Sequence, residues 1–277
     1  MKLKTFRIES GLGKHVMFTS LIKPLFDKHG KINIISSYDD IFRFNEFVEN
    51  SWGADYFEHE KSSLKEMVDE IIFYEPYKSG FNISSLHIKD MYGKNFGVSA
   101  DNLPHLPIDR DLKEQADGVL DTIGDKFFIV QFSGGQPAVG FSQERIYQNN
   151  PLQQIRNYPT QMASIFVQKL LNKYPGYRVI DFTLPNEPVV FGTTRVTLPY
   201  MCYTELCKKA KDIICIDSSL AHIAASVGKS AIVLWNKQAE ATPNNFGWAI
   251  HENIVEENLT IDYDYLIEKV VQRDKNS

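Results

Sequence analysis

A short polar cluster near the end of the chain carries residue types that bind phosphate groups. Asp217, Ser218 and Ser219 follow an apolar run, and His222 comes three residues later. A strand, a turn of small residues and a helix present backbone N–H groups at the helix start, where the helix dipole favours negative charge. Both serines are small enough for a diphosphate to approach, and their hydroxyls can bond to phosphate oxygens. The spacing predicts a phosphate-binding turn; the alternative is a plain helix cap with a structural His222.

Other polar and glycine residues follow apolar runs, and each group has a plainer structural alternative. The stretch GLGKH is either part of a site or an exposed turn, and its residues of interest are Gly11, Gly13, Lys14 and His15. The stretch SGGQ is expected to face a phosphate or a sugar, or to be a plain loop; it contains Ser133, Gly134, Gly135 and Gln136. The candidates for binding ribose or sugar hydroxyls, or for being solvated surface residues, are Glu187, Lys237 and Gln238.

Alternating strand and helix patterns must position these residues, and they predict an α/β fold. The strand LKTFRIES, a glycine break, a helical stripe ending at Gly30 and the strand INIIS form a βαβ unit, which implies a parallel sheet. A second series begins near residue 124 with the buried strand KFFIVQF. We predict two Rossmann-like domains over 1–122 and 123–277, with a last helix that can pack back on the first domain. A ligand is expected at the carboxyl ends of the strands.

Three stretches are assigned less directly. DDIFRFNEFVEN has the pattern of a helix that starts at Asp39 or Asp40. EIIFYEP is either a strand or the end of a helix, because its periodicity does not decide between them. The long loop rich in Gly, Gln and Asn over 133–159 has a length typical of functional loops.

Composition and charge disfavour several classes of protein. The net charge of −5 argues against broad electrostatic binding of nucleic acid, although a local basic groove stays compatible with it. Cys202, Cys207 and Cys215 lack metal-binding spacing and predict buried free thiols in a reducing compartment. The first residues lack the apolar run of a signal peptide, and no apolar stretch approaches the ~20 residues that span a bilayer. We expect a cytoplasmic protein without stable membrane insertion.

The segment over 198–235 resembles the C-terminal signature of glycosyltransferase family 9, the heptosyltransferase-like enzymes. That signature is a helix, a strand ending in Asp, Thr/Ser-Gly-x-x-His, Ala-Ala, x-Gly-Lys/Arg-Pro and a second apolar strand. The matching residues are Asp217, Ser218, His222, Ala224, Ala225, Gly228 and Lys229. The chain departs at Ser219, where the family usually has Gly, and at Ser230, where it usually has Pro. Compared with the family's glycine, Ser219 limits how closely the diphosphate can approach, but it does not abolish the turn.

Two further segments carry the same resemblance. GLGKHVMFTSLIKPL is similar to the family's N-terminal Gly-x-Gly-Asp motif, in which the glycines open the acceptor cleft and the Asp is the general base. VQFSGGQ followed by RNYP is similar to the family's glycine loop and Lys/Arg-x-Trp-Pro element, so that Arg156 is the cation facing the donor diphosphate. The resemblance covers residues 3–30 and about 126–236. It implies the GT-B architecture: two Rossmann-like domains facing a central cleft, with the nucleotide sugar held mainly by the second.

The implied activity is sugar transfer from a nucleotide-diphosphate sugar to an acceptor hydroxyl, with inversion and with neither metal nor cofactor. Arg156 and the helix after Ser218 are expected to stabilise the leaving diphosphate. Lys14 occupies the position of the family's Asp, and an ordinary lysine is protonated at neutral pH and cannot accept a proton. Three alternatives follow: His15 is the base, a carboxylate such as Glu9 takes that role, or Lys14 binds an anionic group and the base lies elsewhere.

The acceptor stays open between two classes. One is a surface glycan or lipid-linked saccharide; the other is a hydroxylated base in DNA, which Lys14 favours and the net charge disfavours. A catalytically degenerate nucleotide-binding module of the same fold is the alternative to an enzyme, and Lys14 favours it. A dehydrogenase is disfavoured, because GLGKH lacks the third glycine of the dinucleotide fingerprint and no acidic residue closes the strand INIIS.

Overall fold

The computed structural model describes residues 2–9, 11–76, 86–100, 102–134, 156–182, 189–196, 198–239, 242–257 and 261–275. These residues form two compact units, each built on its own parallel sheet. The first unit contains the described residues up to Asp109 together with Asn244–Phe246, and the second contains the other described residues from Arg110 onward. The predicted α/β class, with two parallel sheets and surrounding helices, is confirmed.

The first unit has a sheet of four parallel strands. Its strands are β1 (Leu3–Ile8), β2 (Ile32–Ser36), β3 (Val48–Gly53) and β4 (Val68–Phe73). Its helices are α1 (Leu12–His29), α2 (Asp40–Arg43), α3 (Ala54–Leu64) and α4 (Ile88–Phe96). The strand order is β3-β2-β1-β4, with Thr5 of β1 opposite Asn33 of β2 and Ile71 of β4.

Aromatic rings fill the space between β1, α1 and α4. Phe6 packs edge-on against Phe96 with ring centroids 5.2 Å apart, and Phe18 packs edge-on against Tyr92 at 5.4 Å. The helical stripe predicted for α1 is confirmed, and the helix ends where expected at Gly30, whose φ of 75° suits glycine.

The helix predicted over DDIFRFNEFVEN is wrong beyond its first turn. Only α2 is helical there, and the chain enters β3 at Val48. The side chain of Asn45 explains the break: its Oδ1 accepts a hydrogen bond from the Phe47 N–H, while its carbonyl accepts one from the Val48 N–H. Such a local side-chain turn competes with helix propagation. The ambiguous EIIFYEP stretch contains the last part of strand β4.

The second unit has a sheet of six parallel strands. Its strands are β5 (Phe127–Gln131), β6 (Arg178–Asp181), β7 (Thr194–Arg195), β8 (Ile213–Ile216), β9 (Ile232–Asn236) and β10 (Glu252–Glu256). The helices that follow residue 109 in the chain are α5 (Arg110–Ile123), α6 (Thr160–Lys173), α7 (Tyr203–Lys209), α8 (Ser219–Ser226), α9 (Pro243–Phe246) and α10 (Tyr263–Lys275). The strand order is β10-β9-β8-β5-β6-β7. Strands β5, β8 and β9 are buried at every position, as expected for a parallel sheet covered on both faces.

The first and last helices of the second unit both pack within it. The Sγ of Cys202, in a single 3₁₀ turn before α7, donates to the carbonyl of Leu112 in α5. The predicted domain boundary after residue 122 lies at the end of α5, whereas the compact units change over before this helix. Leu266 and Val270 of α10 are buried in the core of the second unit, against α6.

The cysteines and the apolar character of the helices were both the subject of predictions from the sequence. The three cysteines are buried and carry free thiols, as the sequence predicted. The longest described helix, α1, has charged residues at Lys14, Lys23 and Asp27, and no helix in the described part of the chain is long and apolar enough to cross a membrane.

Candidate functional site

Each sheet reverses its strand order at one place, which is where ligands bind in parallel α/β folds. In the first unit the chain runs from β1 outward to β2 and β3, then crosses over to place β4 on the other side of β1. In the second unit it runs from β5 to β6 and β7, then crosses over to place β8 on the other side of β5. We call the carboxyl ends of β1 and β4 the first switch point, and those of β5 and β8 the second switch point.

The turn after β8 places the predicted phosphate-binding residues at the second switch point. Ser218 is the N-cap of α8 and has an extended backbone, but its hydroxyl does not cap the helix. It donates instead to Oε1 of Gln131, the last residue of β5. The helix therefore starts at Ser219 without a side-chain cap from Ser218, and backbone N–H groups at such a start are the donors that bind an anion.

Arg156 is fixed beside this turn. Its Nη2 donates to the carbonyl oxygen of Asp217 at 2.6 Å and to Oδ2 of the same residue at 2.8 Å. Burial raises the pKa of Asp217, and the neighbouring guanidinium opposes that rise. Asp217 does not cap α8, because Ser218 is the N-cap residue. Asp217 orients the turn by holding Arg156 against it.

The turn after β5 meets the turn after β8. The backbone N–H of Gly134 donates to Oδ1 of Asn157, 3.1 Å away. A Cβ placed on Gly134 would lie 3.6 Å from Cδ1 of Ile216 and 3.8 Å from Cβ of Ser218. Ser133 is buried at the same strand end. The structure thus brings together the predicted residues Ser133, Gly134 and Ser218.

His222 lies inside α8 and holds that helix in place. Its Nδ1 accepts a hydrogen bond from Nε1 of Trp248 at 2.8 Å, and the two rings are nearly perpendicular. A second buried histidine, His251, contacts the carbonyl of Ala221 through Nε2 at 2.8 Å and accepts from the Ala231 N–H through Nδ1. Burial lowers the pKa of His251 to about 4. The contact of His222 with Trp248 matches the structural alternative stated for this residue in the sequence analysis.

The other predicted residues of the second unit fall into two groups. Lys237 and Gln238 follow β9, one strand away from the second switch point, and both are exposed. The ammonium of Lys237 pairs with Glu257 at 2.8 Å. The predictions for Gly135, Gln136 and Glu187 fall outside the described residues.

A buried ion pair occupies the first switch point. Lys14 lies in the first turn of α1, and Glu75 follows the end of β4 by two residues. The Lys14 Nζ lies 2.8 Å from both Oε1 and Oε2 of Glu75, and the side chains are only 2% and 10% exposed. Burial lowers the pKa of Lys14, while Glu75 opposes that shift. The alternative of an exposed turn at Lys14 is therefore wrong.

His15 is the next residue after Lys14 in the chain, and it is completely buried. Its Nδ1 is 3.0 Å from the carbonyl oxygen of Gly11, and its Nε2 is 3.2 Å from that of Ile8. Tyr38 packs edge-on against the ring. Burial lowers the pKa of His15 to about 4. With both ring nitrogens facing backbone carbonyls and no exposed edge, this geometry argues against the prediction that His15 is the general base.

The contacts of the remaining candidates at the first switch point give less support for a functional role. Gly11 is the N-cap of α1, where a Cβ would meet nothing within 4 Å, and Gly13 lies in the first turn of that helix. Glu9 accepts a hydrogen bond from Nε of Arg7 at 2.8 Å, and its side chain is 40% exposed. In the described part of the chain, no group of three or more His, Cys, Asp or Glu residues could hold a metal ion.

Three site residues were missed by the sequence interpretation. Gln131 is the one polar residue in the apolar run FFIVQF, which was a usable signal. Asn157 directly follows Arg156, but nothing in the pattern linked it to Gly134. Glu75 lies in the stretch whose strand or helix assignment was undecided, and its partner Lys14 is 61 residues away.

Comparison with known proteins gives a match in fold but not in sequence. No protein-family model and no curated protein matches the chain. A family 9 glycosyltransferase from Veillonella parvula superposes with a TM-score of 0.70 at 12% identity, covering 99% of each chain. The ADP-heptose LPS heptosyltransferase II of E. coli gives 0.68 at 13% identity, covering 99% of this chain and 100% of that one. The E. coli heptosyltransferase WaaC with ADP gives 0.61 at 10% identity, covering 98% and 99%.

These similarities extend over nearly the whole chain and agree with the three motifs that resemble the same family. The two parallel sheets, of four and six strands, are the elements that position those motifs. The protein has the fold of the family 9 glycosyltransferases and heptosyltransferases.

Proposed function

We propose that the protein is a glycosyltransferase that moves a sugar from a nucleoside-diphosphate sugar to an acceptor hydroxyl, with inversion and without a metal ion. The observation that carries the proposal is the second switch point, where Arg156 lies beside the start of α8. Its Nε is buried and has no hydrogen-bond partner among the described residues. An unsatisfied cationic donor next to a helix start suits a diphosphate.

The same arrangement suits the departure of the diphosphate. As the bond between the sugar and the diphosphate breaks, negative charge develops on the leaving oxygen. The N–H groups at the start of α8 and the guanidinium of Arg156 are positioned in advance to stabilise that charge. Losing one such donor typically costs ~3–4 kcal/mol in the barrier. Asp217 occupies one nitrogen of Arg156, and a guanidinium has five N–H donors in all.

The choice of donor is supported by the structural neighbours. Heptosyltransferases of the same fold have been solved with ADP, with a fluorinated ADP-heptose and with ADP-heptose. We therefore propose a nucleoside-diphosphate sugar as the co-substrate of this chain. For the acceptor we favour a saccharide hydroxyl over a base in DNA, because the net charge of −5 opposes binding to a polyanion.

Nucleotide binding without metal tests the proposal. The thermal midpoint of the full chain is followed with ADP, UDP, GDP, CDP and TDP in the presence of a chelator. At 100 times its Kd a ligand adds ~2.7 kcal/mol of stability, and we expect one diphosphate to raise the midpoint by several degrees. No shift with any of the five would contradict the proposal.

A matched pair of variants locates the binding. Arg156→Gln combined with Asp217→Asn removes the cation without leaving a buried, unpaired carboxylate, and we expect it to abolish the shift. Arg178→Ala is the control, because Arg178 is exposed at the amino end of β6, the opposite edge of the same sheet. Equal shifts in wild type and the double variant would show that the nucleotide binds elsewhere.

A nucleotide-binding module without transfer activity is the second candidate, and Lys14 in place of the motif's Asp favours it. The two candidates differ in turnover. The release of nucleoside diphosphate from a nucleotide sugar, measured with water or with saccharide mixtures as acceptor, is expected for the enzyme and absent for the module.

A further inference from the structure

The first switch point contains a carboxylate even though the motif position that should supply one holds lysine. Glu75 reaches that place from the end of β4, the strand paired with β1, and meets Lys14 at the start of α1. The motif resembled by GLGKH places its single carboxylate on the helix. In this chain the helix supplies the ammonium, and the neighbouring strand supplies the carboxylate.

The burial of this pair needs a reason. Withdrawing two charges from water is costly, and well-packed apolar residues are often as stabilising as a buried ion pair. Lys14 and Glu75 nevertheless lie almost wholly buried at the strand ends where a parallel sheet binds its ligand. A buried carboxylate that is held at such a place by a charged partner is a candidate for a catalytic role.

The other bases considered for the acceptor are placed less well. His15 has no exposed edge, and both of its nitrogens face backbone carbonyls. The carboxylate of Glu9 is bound by Arg7 and is 40% exposed, whereas that of Glu75 is 10% exposed and held in one orientation by Lys14. Each oxygen of a carboxylate has two lone-pair sites, so the contact with Lys14 does not use up the capacity of Glu75 to accept a proton.

We propose that Glu75 is the general base of the transfer reaction, an inference that rests on the proposed function. The acceptor oxygen attacks C1 of the donor sugar while its proton moves to a carboxylate oxygen of Glu75. The bond from C1 to the diphosphate oxygen breaks, and its electron pair leaves with the diphosphate. Lys14 acts through Glu75: its Nζ contacts both oxygens and fixes the orientation of the carboxylate.

The test uses the nucleotide sugar of whichever diphosphate binds, with water as the acceptor. Three variants of the full chain are compared with wild type. Glu75→Gln removes the base but keeps the shape and an oxygen that can accept from Lys14. Lys14→Asp combined with Glu75→Lys exchanges the charges and returns the carboxylate to the motif position. Glu70→Gln is the matched control, because Glu70 is an exposed carboxylate on β4 that pairs with Lys4.

The expected result has three parts. Glu75→Gln lowers the rate of diphosphate release by about 10²–10⁴-fold, the usual contribution of a general base. Its affinity for the free nucleoside diphosphate and its thermal midpoint shift stay at the wild-type values. The exchanged double variant regains at least tenfold of the lost rate, and Glu70→Gln stays within about twofold of wild type.

Two results would overturn the inference. One is a rate for Glu75→Gln within threefold of wild type. The other is a joint loss of rate and nucleotide affinity, since that would show Glu75 to be structural. Failure of the proposed function is distinct, because wild type itself would then bind no nucleoside diphosphate.

Discussion

The two switch points of this molecule differ in how they hold charge. At the first, the ammonium of Lys14 is buried with its own counter-ion, Glu75, and the pair is neutral as a whole. At the second, Arg156 is 32% exposed and lies beside the positive end of a helix, with Asp217 on only part of its guanidinium. Both pairs carry one charge of each sign and lie at a helix start, but the buried Nε of Arg156 has no hydrogen-bond partner among the described residues. A donor of this kind suits a diphosphate, whereas the carboxylate of the first switch point suits a hydroxyl group. On this difference we base the proposal that the donor binds at the second switch point and the acceptor at the first.

The largest effect, a loss of stability, is expected when the ion pair at the first switch point is broken. Glu75→Ala leaves the buried ammonium of Lys14 without its carboxylate, which we expect to lower the free energy of unfolding by about 3–5 kcal/mol. Replacing both residues, as in Lys14→Met with Glu75→Leu, should restore most of that stability. Urea titration of the single and double variants measures the difference. A loss below about 1 kcal/mol in Glu75→Ala would show that the pair is not buried in solution.

At the second switch point the main effect falls on catalysis. Substituting Arg156 by Gln, with Asp217→Asn, should lower the rate of diphosphate release by about 10²–10³-fold, the range seen when one charge-directed donor is lost. Its stability should change less than that of Glu75→Ala, because Arg156 is a third exposed. Steady-state kinetics and urea titration on the same samples test both parts. An unchanged rate in this variant would show that Arg156 is not part of the site.

Each unit also has a buried histidine with a lowered pKa, and this predicts a pH dependence of stability. The pKa values of His15 and His251 are lowered to about 4 in the folded protein, from an ordinary value of 6.5. Between these values the unfolded chain binds protons that the folded chain does not. Stability that is present above pH 6.5 is therefore lost as the pH falls towards 4, on the order of 3 kcal/mol for each ring.

Variants at the two histidines sharpen this prediction. His15→Gln and His251→Gln each remove one titrating ring, so the decrease in stability between pH 7 and pH 5 should be smaller in each variant than in wild type. Urea midpoints at the two pH values measure this decrease. A decrease unchanged in both variants would contradict the lowered pKa values.

The smallest expected effect concerns the contact between Ser218, in the turn after β8, and Gln131, at the end of β5. Ser218→Ala leaves the buried amide oxygen of Gln131 without its donor, which should cost about 1–3 kcal/mol of stability. Ser226→Ala, at the other end of α8, is the control, because its hydroxyl bonds back to the carbonyl of Ile223 in its own helix. Equal losses of stability in the two variants would show that the bond to Gln131 stabilises the protein no more than a hydroxyl bond within the helix does.

The parts of the site that could be predicted from sequence are those made by neighbouring residues. The turn over Asp217, Ser218 and Ser219 was found because strand, small residues and helix follow one another directly. The start of α1 was found in the same way. Local patterns of this kind carry the dihedral and dipole preferences that build a βα turn.

The parts that could not be predicted depend on pairing between distant segments. Nothing near Lys14 in the sequence shows that β4 lies beside β1 and brings Glu75 to it. The burial of His15 likewise follows from packing against Tyr38, which no local pattern contains. The predicted helix does not continue after α2 for a local reason, the side-chain turn at Asn45. The prediction missed this because it considered only the spacing of the apolar residues.

Hydrogen exchange on the full chain, with and without the nucleoside diphosphate that binds, tests the assignment of the donor most directly. We expect slower exchange of the backbone N–H groups from Asp217 to Ala221 and around Gly134, with no change at Lys14 or Glu75. Slower exchange at the start of α1, with none at the start of α8, would contradict it and place the donor in the first unit.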